Sequence, residues 1–576
     1  MAESERSGPS RRDVLIAAAA GGAAMALAAP AGAAEASAAA ATSAAAATSA
    51  AGVTGVVFES ASGAARQPGD KGLAGVLVSN GREVVATDSD GRYTLPVSDE
   101  SVVFVIKPAG YMTPVDPVTQ LPRFHYIHQP AGSPAALGLT FEGIAPTGPL
   151  PASVDFALKS QEEPKAFEVV LFTDPQPESD AEVDFIREDV VDALAGTTAK
   201  FGLTAGDIMF DDLSLYDRLN RIIGTIGIPW YNIGGNHDFN FEAPGRKYSR
   251  ETFKRVFGPP HYAFAYADAV FLMLDDVEYK GTNPAKPHGA GAYEGRLDPD
   301  QLAFVKNVLA AVPQDKLIVA VLHIPLQNYL DDQGPDVNLT NRAEFFALFE
   351  GRRFTVSFSG HTHTTEHHYF GEAEGWPSPV PHHHHVLTAV SGSWWSGPYD
   401  HRGVAVADSR DGSPNGFHIL SIDGNSYTTR FVPAKEPNQR QVRLSVDSRF
   451  HRADKEVKRD FRPGQLLSSP IALAAVPATT IIANVFDGGP KTKVTMRIGK
   501  AAPIEMTRKT MPDPFVEDVF ARNEAVKKPW IKAEPSSHVW VARLPATLGP
   551  GTHRVTVEAV TEYGGSVSGT LALEVA

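Results

Sequence analysis

Along the middle of this chain, short uninterrupted apolar runs alternate with stretches in which apolar residues recur every three or four positions. The runs Phe167–Phe172, Phe201–Ala205, Ile228–Ile233, Leu317–Leu322 and Phe354–Phe358 read as buried strands. Between them, three sets of apolar positions fall on single helical faces: Val183, Ile186, Val190 and Leu194; Leu215, Leu219, Ile222 and Ile226; and Leu302, Val305, Leu309 and Val312. Asp298 stands where the last of these helices needs a cap, and Pro299 occupies its first helical position. Strand runs separated by amphipathic helices predict a layered α/β core.

The flanks read differently. From 53 to 160 short alternating runs such as Val76–Val78, Val84–Ala86 and Tyr93–Val97 predict a β-sandwich, with Asp90-Gly91 as a hairpin signal. Asp88-Ser89-Asp90-Gly91 holds a fragment of a calcium-loop pattern but lacks the later acidic position. From 433 to 576 the pattern is again β-rich, with His538–Leu544, Thr552–Val560 and Ser566–Val575 as strands and Thr510–Pro535 as a loop-like break. A chain of 576 residues is too long for one hydrophobic core, so 53–160, 161–432 and 433–576 are taken as three domains.

Five patches in the central region carry the chemistry: Asp174-Pro175-Gln176, Gly206-Asp207, Gly235-Asn236-His237-Asp238, His323 and Gly360-His361-Thr362-His363. Each sits at the end of a predicted strand, where α/β sheets hold their ligands. Carboxylates can bridge two cations, and imidazole and amide groups can complete the coordination. Two such cations roughly 4 Å apart can clamp a phosphate and activate a water between them.

The order D-x-Q, G-D, G-N-H-D, H, G-H-x-H resembles that of the calcineurin-like metallophosphoesterase superfamily over about residues 165 to 432. The resemblance implies a central metallophosphoesterase β-sandwich flanked by helices and two divalent metal ions drawn from Mn, Fe or Zn. It implies Asp174, Gln176, Asp207 and His363 around one metal. Asp207, Asn236, His323 and His361 would surround the other, with Asp207 bridging and a metal-held hydroxide attacking phosphorus. It also makes His237 the general acid for the leaving oxygen, with Asp238 as its orienting partner. Gln176 stands where many members have His, and Ile208-Met209-Phe210-Asp211-Asp212 replaces the Asp-Arg-Gly element of the protein phosphatases, so the pocket should differ from theirs.

Ser391-Gly392-Ser393-Trp394-Trp395-Ser396-Gly397 and Asp411-Gly412-Ser413-Pro414-Asn415-Gly416 resemble a bacterial exported subgroup with extra N- and C-terminal β-domains, the former transthyretin-like. Paired between small residues just past a strand end, Trp394 and Trp395 are candidates either for an aromatic wall against substrate or for a cap on the core, and Asn415 is a further candidate contact. His382–His385 is expected at the surface or at the pocket rim, ahead of a core strand Val386–Val390, because alternate side chains of a strand cannot all converge on one ion. His367 and His368 are read the same way.

Ser10-Arg11-Arg12 before an Ala-rich stretch reads as a twin-arginine signal over 1–34, followed by an Ala/Ser/Thr-rich linker over 35–52. The expectation is recognition by the twin-arginine translocase, a periplasmic or extracellular destination and no stable membrane anchor. No cysteine is present for lipid attachment or disulfides. A net charge of -15 argues against broad nucleic-acid binding but not against a small phosphate ester, from the cell envelope or a nucleotide. No Walker loop, Gly-x-Ser-x-Gly elbow or His-Glu-x-x-His helix occurs. The leading expectation is an exported dinuclear phosphoesterase leaning to diesters. The alternatives are a monoesterase on a small metabolite and a cell-surface binding protein on a phosphoesterase-like scaffold.

Overall fold

Two sheets face each other at the centre of the chain. The first runs in the spatial order Trp230–Ile233, Phe201–Ala205, Ala166–Phe172, Gly416–Asp423, Ser426–Pro433. Its first three strands are parallel and the last two antiparallel. The second runs Tyr262–Tyr266, Ala269–Met273, Leu317–Val321, Thr355–Ser359, His382–Val386, Glu366–Phe370, parallel in the middle and antiparallel at both edges. Val169, Leu171 and Leu203 of the first sheet share one buried cluster with Phe271, Val319 and Phe358 of the second. The computed structural model describes residues 51–60, 63, 65–282, 291–434, 440–447 and 470–576.

Helices cover this sandwich as the periodicity predicts. Val183, Ile186, Val190 and Leu194 are all buried, although the helix Asp180–Ile186 widens into a π turn over Arg187–Val191 and tightens again over Asp192–Leu194. In Tyr216–Gly224 the buried face is Tyr216, Leu219 and Ile223, packed with Val170 and Phe172. Each such side chain contributes about 1.5–3 kcal/mol. Asp298 caps Pro299–Ala311 by accepting from the Asp300 and Gln301 amides at 2.8 and 3.0 Å.

On the N-terminal side two four-stranded sheets form a sandwich, whose last strand is Phe156–Ser160. Its Phe104 and Phe124 pack against Phe304 and Tyr262 of the central region, with ring centroids 5.8 and 4.9 Å apart. The turn at Asp90-Gly91 exists, with the Asp88 carboxylate accepting from the Asp90 and Arg92 amides. It is not a hairpin: Val84–Ala86 pairs with Leu77–Ser79, whereas Arg92–Val97 crosses to pair with Ala51–Glu59 in the other sheet. The export signal and most of the linker lie outside the described residues. The linker's last positions, Ala51 and Gly52, already belong to a strand, paired with Val97 and Pro96.

At the C-terminal end two further four-stranded sheets enclose a core of Val485, Met496, Trp540, Val555 and Leu573. The supposed loop from Thr510 to Pro535 contains the helix Pro514–Arg522. Asp513 caps it, Pro514 opens it, and Val516, Val519 and Phe520 form its buried face, so the start signal was present in the sequence.

The histidine run departs most from expectation. His382–Val386 is itself an interior strand, and all four imidazoles are buried. The apolar stretch after it contributes only Val386 to the sheet. Polar partners on adjoining strands make this burial tolerable: His382 meets Thr355 and Ser357 at 2.9 and 2.7 Å, and His384 meets Ser357 at 2.7 Å. His367 is likewise buried in the edge strand, and half-buried His368 bonds Glu366 at 2.6 Å.

Candidate active site

All five ligand patches follow the C-terminal ends of the strands Ala166–Phe172, Phe201–Ala205, Trp230–Ile233, Leu317–Val321 and Thr355–Ser359. Close packing of these loops requires glycine. Gly206 has φ 85°, and a Cβ there would run into the His323 ring; a Cβ on Gly360 would run into Thr173 and the Asp174 carboxylate. The backbone is strained where the donors sit. Asp174, Gln176, Asp207, His361 and His363 all have positive φ, between 38° and 73°. Left-handed non-glycine residues cluster at functional sites because only the surroundings hold them there.

Seven side chains converge. His323 Nε2 lies 3.3 Å from Asp207 Oδ1 and 3.1 Å from Asn236 Oδ1. Asp207 Oδ2, its other oxygen, lies 2.5 Å from the Gln176 amide nitrogen, and His363 Nε2 is 3.7 Å from Asp174 Oδ1. Asp207, His323 and His361 present ligand atoms that all lie within 4.8 Å of one another. The rings are set by their far nitrogens. His323 Nδ1 donates to the Ala205 carbonyl at 3.0 Å and His363 Nδ1 to the Gly392 carbonyl at 2.5 Å, which turns both Nε2 atoms toward the carboxylates. His361 Nε2 donates to the Asp336 carbonyl at 2.9 Å, which leaves its Nδ1 free.

The charges are those of a site built around cations. Burial, with the Asp207 charge added and the His323 imidazole opposing, raises Asp174 to about 7. Asp207, buried but surrounded by His323, His237 and His361, is held well below the usual carboxylate range. Against the effect of burial, Asp207 and Asp174 lift His323 to about 10. Burial keeps His361 and His363 neutral, each at about 3. His363 Nε2 and Gln176 Oε1 are buried with no hydrogen-bond partner. These donors fit divalent cations: two ligand atoms each about 2.0–2.2 Å from one ion stand about 3–3.5 Å apart.

His237 is poised but not by the expected neighbour. Its Nδ1 lies 2.8 Å from Asp211 Oδ1, and its ring stacks on Phe210 at 4.4 Å. Burial would lower its pKa, yet Asp207 and Asp211 together raise it to about 9. Asp238 instead points into the loop, accepting from the amides of Ile208, Met209 and Gly235 and from the Tyr216 hydroxyl at 2.8–3.2 Å. Asp238 is fully buried with both carboxylate oxygens engaged by the loop, so it is turned away from His237.

Two of the three expected substrate contacts are structural. Trp395 is buried, packs in the core beneath the first sheet and donates its indole N–H to the Pro175 carbonyl at 2.8 Å. Buried Asn415 donates to Asp189 and the Val390 carbonyl. Half-buried Trp394 stacks directly on the donor His363, with centroids 3.8 Å apart. Sequence reasoning missed three other contributors. Arg250 bonds the carbonyls of Gly235 and Asp238 and the Asp275 carboxylate at 2.6, 3.2 and 2.8 Å, clamping the loop. Asp276 accepts from the His323 amide at 2.9 Å. From the C-terminal region, Trp530 stacks on Phe210 at 6.1 Å, and nearby Lys528 pairs with Glu178 and Glu182 at 2.5 and 3.3 Å. Asp211 and Phe210 were legible only as a departure from the protein-phosphatase pattern. A cavity of about 630 Å³ opens at the opposite end of the first sheet, beside Glu168, Lys200 and Asp423, and has no such donor set.

Oxygen and imidazole donors gathered at strand ends around an acidic centre define a metal-dependent hydrolase of phosphoric esters. Three models of one family match the chain: "N terminal of Calcineurin-like phosphoesterase" at residues 60–142, "Calcineurin-like phosphoesterase" at 168–365, and "C terminal of Calcineurin-like phosphoesterase" at 384–566. The chain belongs to the calcineurin-like phosphoesterase family. No curated protein matches it. Among solved structures, purple acid phosphatase PPD1 from yellow lupin (Lupinus luteus) seeds is similar at 12% identity, covering 63% of this chain and 67% of that chain with a TM-score of 0.33, a likeness too distant to bear on activity.

Proposed function

We propose that the chain hydrolyses phosphate esters, with a preference for diesters, using two divalent cations. The observation that carries this reading is the placement of Asp207, whose Oδ1 faces His323 at 3.3 Å and whose Oδ2 faces Gln176 at 2.5 Å. One carboxylate thus serves two donor sets: Asp174, Gln176 and His363 on one side, Asn236, His323 and His361 on the other. The chemistry such cations supply when bound is polarisation of the phosphoryl oxygens and a water of lowered pKa.

The chain's own residues do the rest. With Nδ1 engaged by Asp211, His237 has Nε2 left to carry the proton that a departing alkoxide needs. Phe210 and Trp530, stacked in line with that imidazole, offer an apolar surface to the second arm of a diester. A monoester has no such arm, and this wall is what favours the diester.

Elemental analysis of protein purified without added metal, with turnover of bis(p-nitrophenyl) phosphate and p-nitrophenyl phosphate under Mn²⁺, Fe²⁺ or Zn²⁺, tests the proposal. Metal-dependent turnover faster on the diester supports it, and a large monoester preference refutes the diester assignment. The Arg11-Arg12 pair supports export by the twin-arginine route. Among the described residues no helix is long and apolar enough to cross a membrane. Replacing both arginines by lysine would leave the enzyme in the cytoplasmic fraction if export follows this route.

A further inference from the structure

A second histidine cluster lies outside the esterase donors. The Nε2 atoms of His367, His385 and His418 lie 3.2, 3.1 and 3.4 Å from a single atom, Oδ1 of Asp487. The three imidazoles are 4%, 0% and 0% exposed. They come from both sheets. His385 sits beside Phe358 and His367 in register, and His418 is paired with Leu171. Phe358 and Leu171 belong to the apolar interior of the sandwich, so these imidazoles occupy positions that valine or leucine would fill. Asp487 reaches them from just beyond the C-terminal strand Thr480–Val485.

Hydrogen bonding alone does not account for the arrangement. One carboxylate oxygen offers about two lone pairs, one fewer than the three nitrogens approaching it. His385 Nε2, though only 3.1 Å away, makes no hydrogen bond, and His418 Nδ1 is also buried without a partner. Each nitrogen-to-oxygen separation is instead close to that between two ligands of one small ion, since donors about 2.0–2.1 Å from a tetrahedral centre stand about 3.3 Å apart. The ligand atoms of His367, His385 and Asp487 all lie within 4.8 Å of one another, and His418 Nε2 approaches this trio at Asp487 Oδ1, 3.4 Å away. A supporting layer is present as well. His367 Nδ1 meets His383 Nε2 at 3.0 Å, His383 Nδ1 meets the Tyr427 hydroxyl at 3.0 Å, and His385 Nδ1 meets Thr429 at 3.4 Å.

We infer that His367, His385, His418 and Asp487 form a separate, closed metal site of the zinc type that pins the C-terminal β-sandwich to both central sheets. Three imidazoles and one carboxylate leave no open position for substrate, as in structural sites.

The test uses the full chain with Asp207→Asn and His323→Gln to disable the esterase donors. After chelation and dialysis, this protein is loaded with Zn²⁺ and analysed for metal, and in parallel with Co²⁺ for its visible spectrum. One zinc retained per chain, with the intense bands of four-coordinate cobalt, is the expected result, and removing the zinc should lower the melting temperature. Adding His385→Gln should abolish both retention and bands while circular dichroism still reports a folded chain. If that variant does not fold, Asp487→Asn, at the rim of the cluster, replaces it. Folded protein that retains no zinc, or that retains it equally after the cluster is changed, overturns the inference.

Discussion

Replacing Asp211 by Asn removes the charge facing His237 and keeps a side chain of the same shape. The pair is close, 2.8 Å from Nδ1 to Oδ1, but Asp211 is 46% exposed against 17% for the imidazole. A charge-assisted hydrogen bond contributes about 1.5–3 kcal/mol when shielded, and exposed pairs about 0–1. The geometry lies between these limits, so about 1 kcal/mol of ring orientation and proton affinity is lost, or roughly fivefold in kcat. The loss should depend on the leaving group. An alkyl alkoxide needs the proton, whereas p-nitrophenolate departs without it. His237→Gln should therefore slow an alkyl aryl diester, read at its alkyl bond, by about 10²–10⁴ and the nitrophenyl bond far less. Asp211→Asn should follow the same selectivity at about fivefold, with KM nearly unchanged. Steady-state kinetics on a leaving-group series at saturating metal reads both. Equal losses on good and poor leaving groups, or an Asp211→Asn enzyme as slow as His237→Gln, would refute the pairing as a device for positioning the proton.

Gly360→Ala should force Asp174 aside and lower kcat/KM by about a hundredfold with reduced metal content, while the melting temperature moves little. Unaltered metal content would count against the close-approach argument. Arg250→Met removes the nearer of the two cations facing buried Asp275, leaving Arg246 at 3.6 Å, and frees the Gly235 loop, at a cost of about 2–3 kcal/mol in denaturant unfolding. A loss under about 1 kcal/mol would show that the clamp is not needed. Burial holds His382 down at about 3, so this group is neutral in the fold at any ordinary pH. Between about pH 6.5 and that value the unfolded chain binds a proton that the folded chain refuses, and stability falls with pH by about 1.4 kcal/mol per unit. Wild-type denaturation curves should show this acid slope in excess of those for His382→Gln, and parallel slopes would contradict it.

The donors were legible because their job restricts residue type and place together: a carboxylate, amide or imidazole just past a buried strand. The strands themselves were legible for the same reason, being apolar on both faces. What could not be read depended on partners far away in the sequence. His382 and His384 looked too polar for a core until Thr355 and Ser357 met them from the neighbouring strand. Asp211 takes φ 68°, and its carboxylate meets His237, a contact no spacing rule predicts. Trp395 and Asn415 carry side chains that serve packing and recognition equally well, and packing claimed both. The strands around Asp90-Gly91 were found, but a local turn signal cannot say which of two sheets the chain enters next.

The first central sheet is completed by Gly416–Asp423 and Ser426–Pro433, which lie within the C-terminal family segment beginning at residue 384, not in the segment that ends at 365 with the histidine donors. That boundary is a seam in the alignment of sequences, not in the solid. A gene rearrangement cutting there would strip Ala166–Phe172 of its antiparallel neighbour and expose a long apolar edge ready to pair with other chains. The two segments therefore form one unit of inheritance. Lineages that exchange the C-terminal segment must retain a matching strand for Ala166–Phe172 or lose soluble enzyme before selection can act on its chemistry.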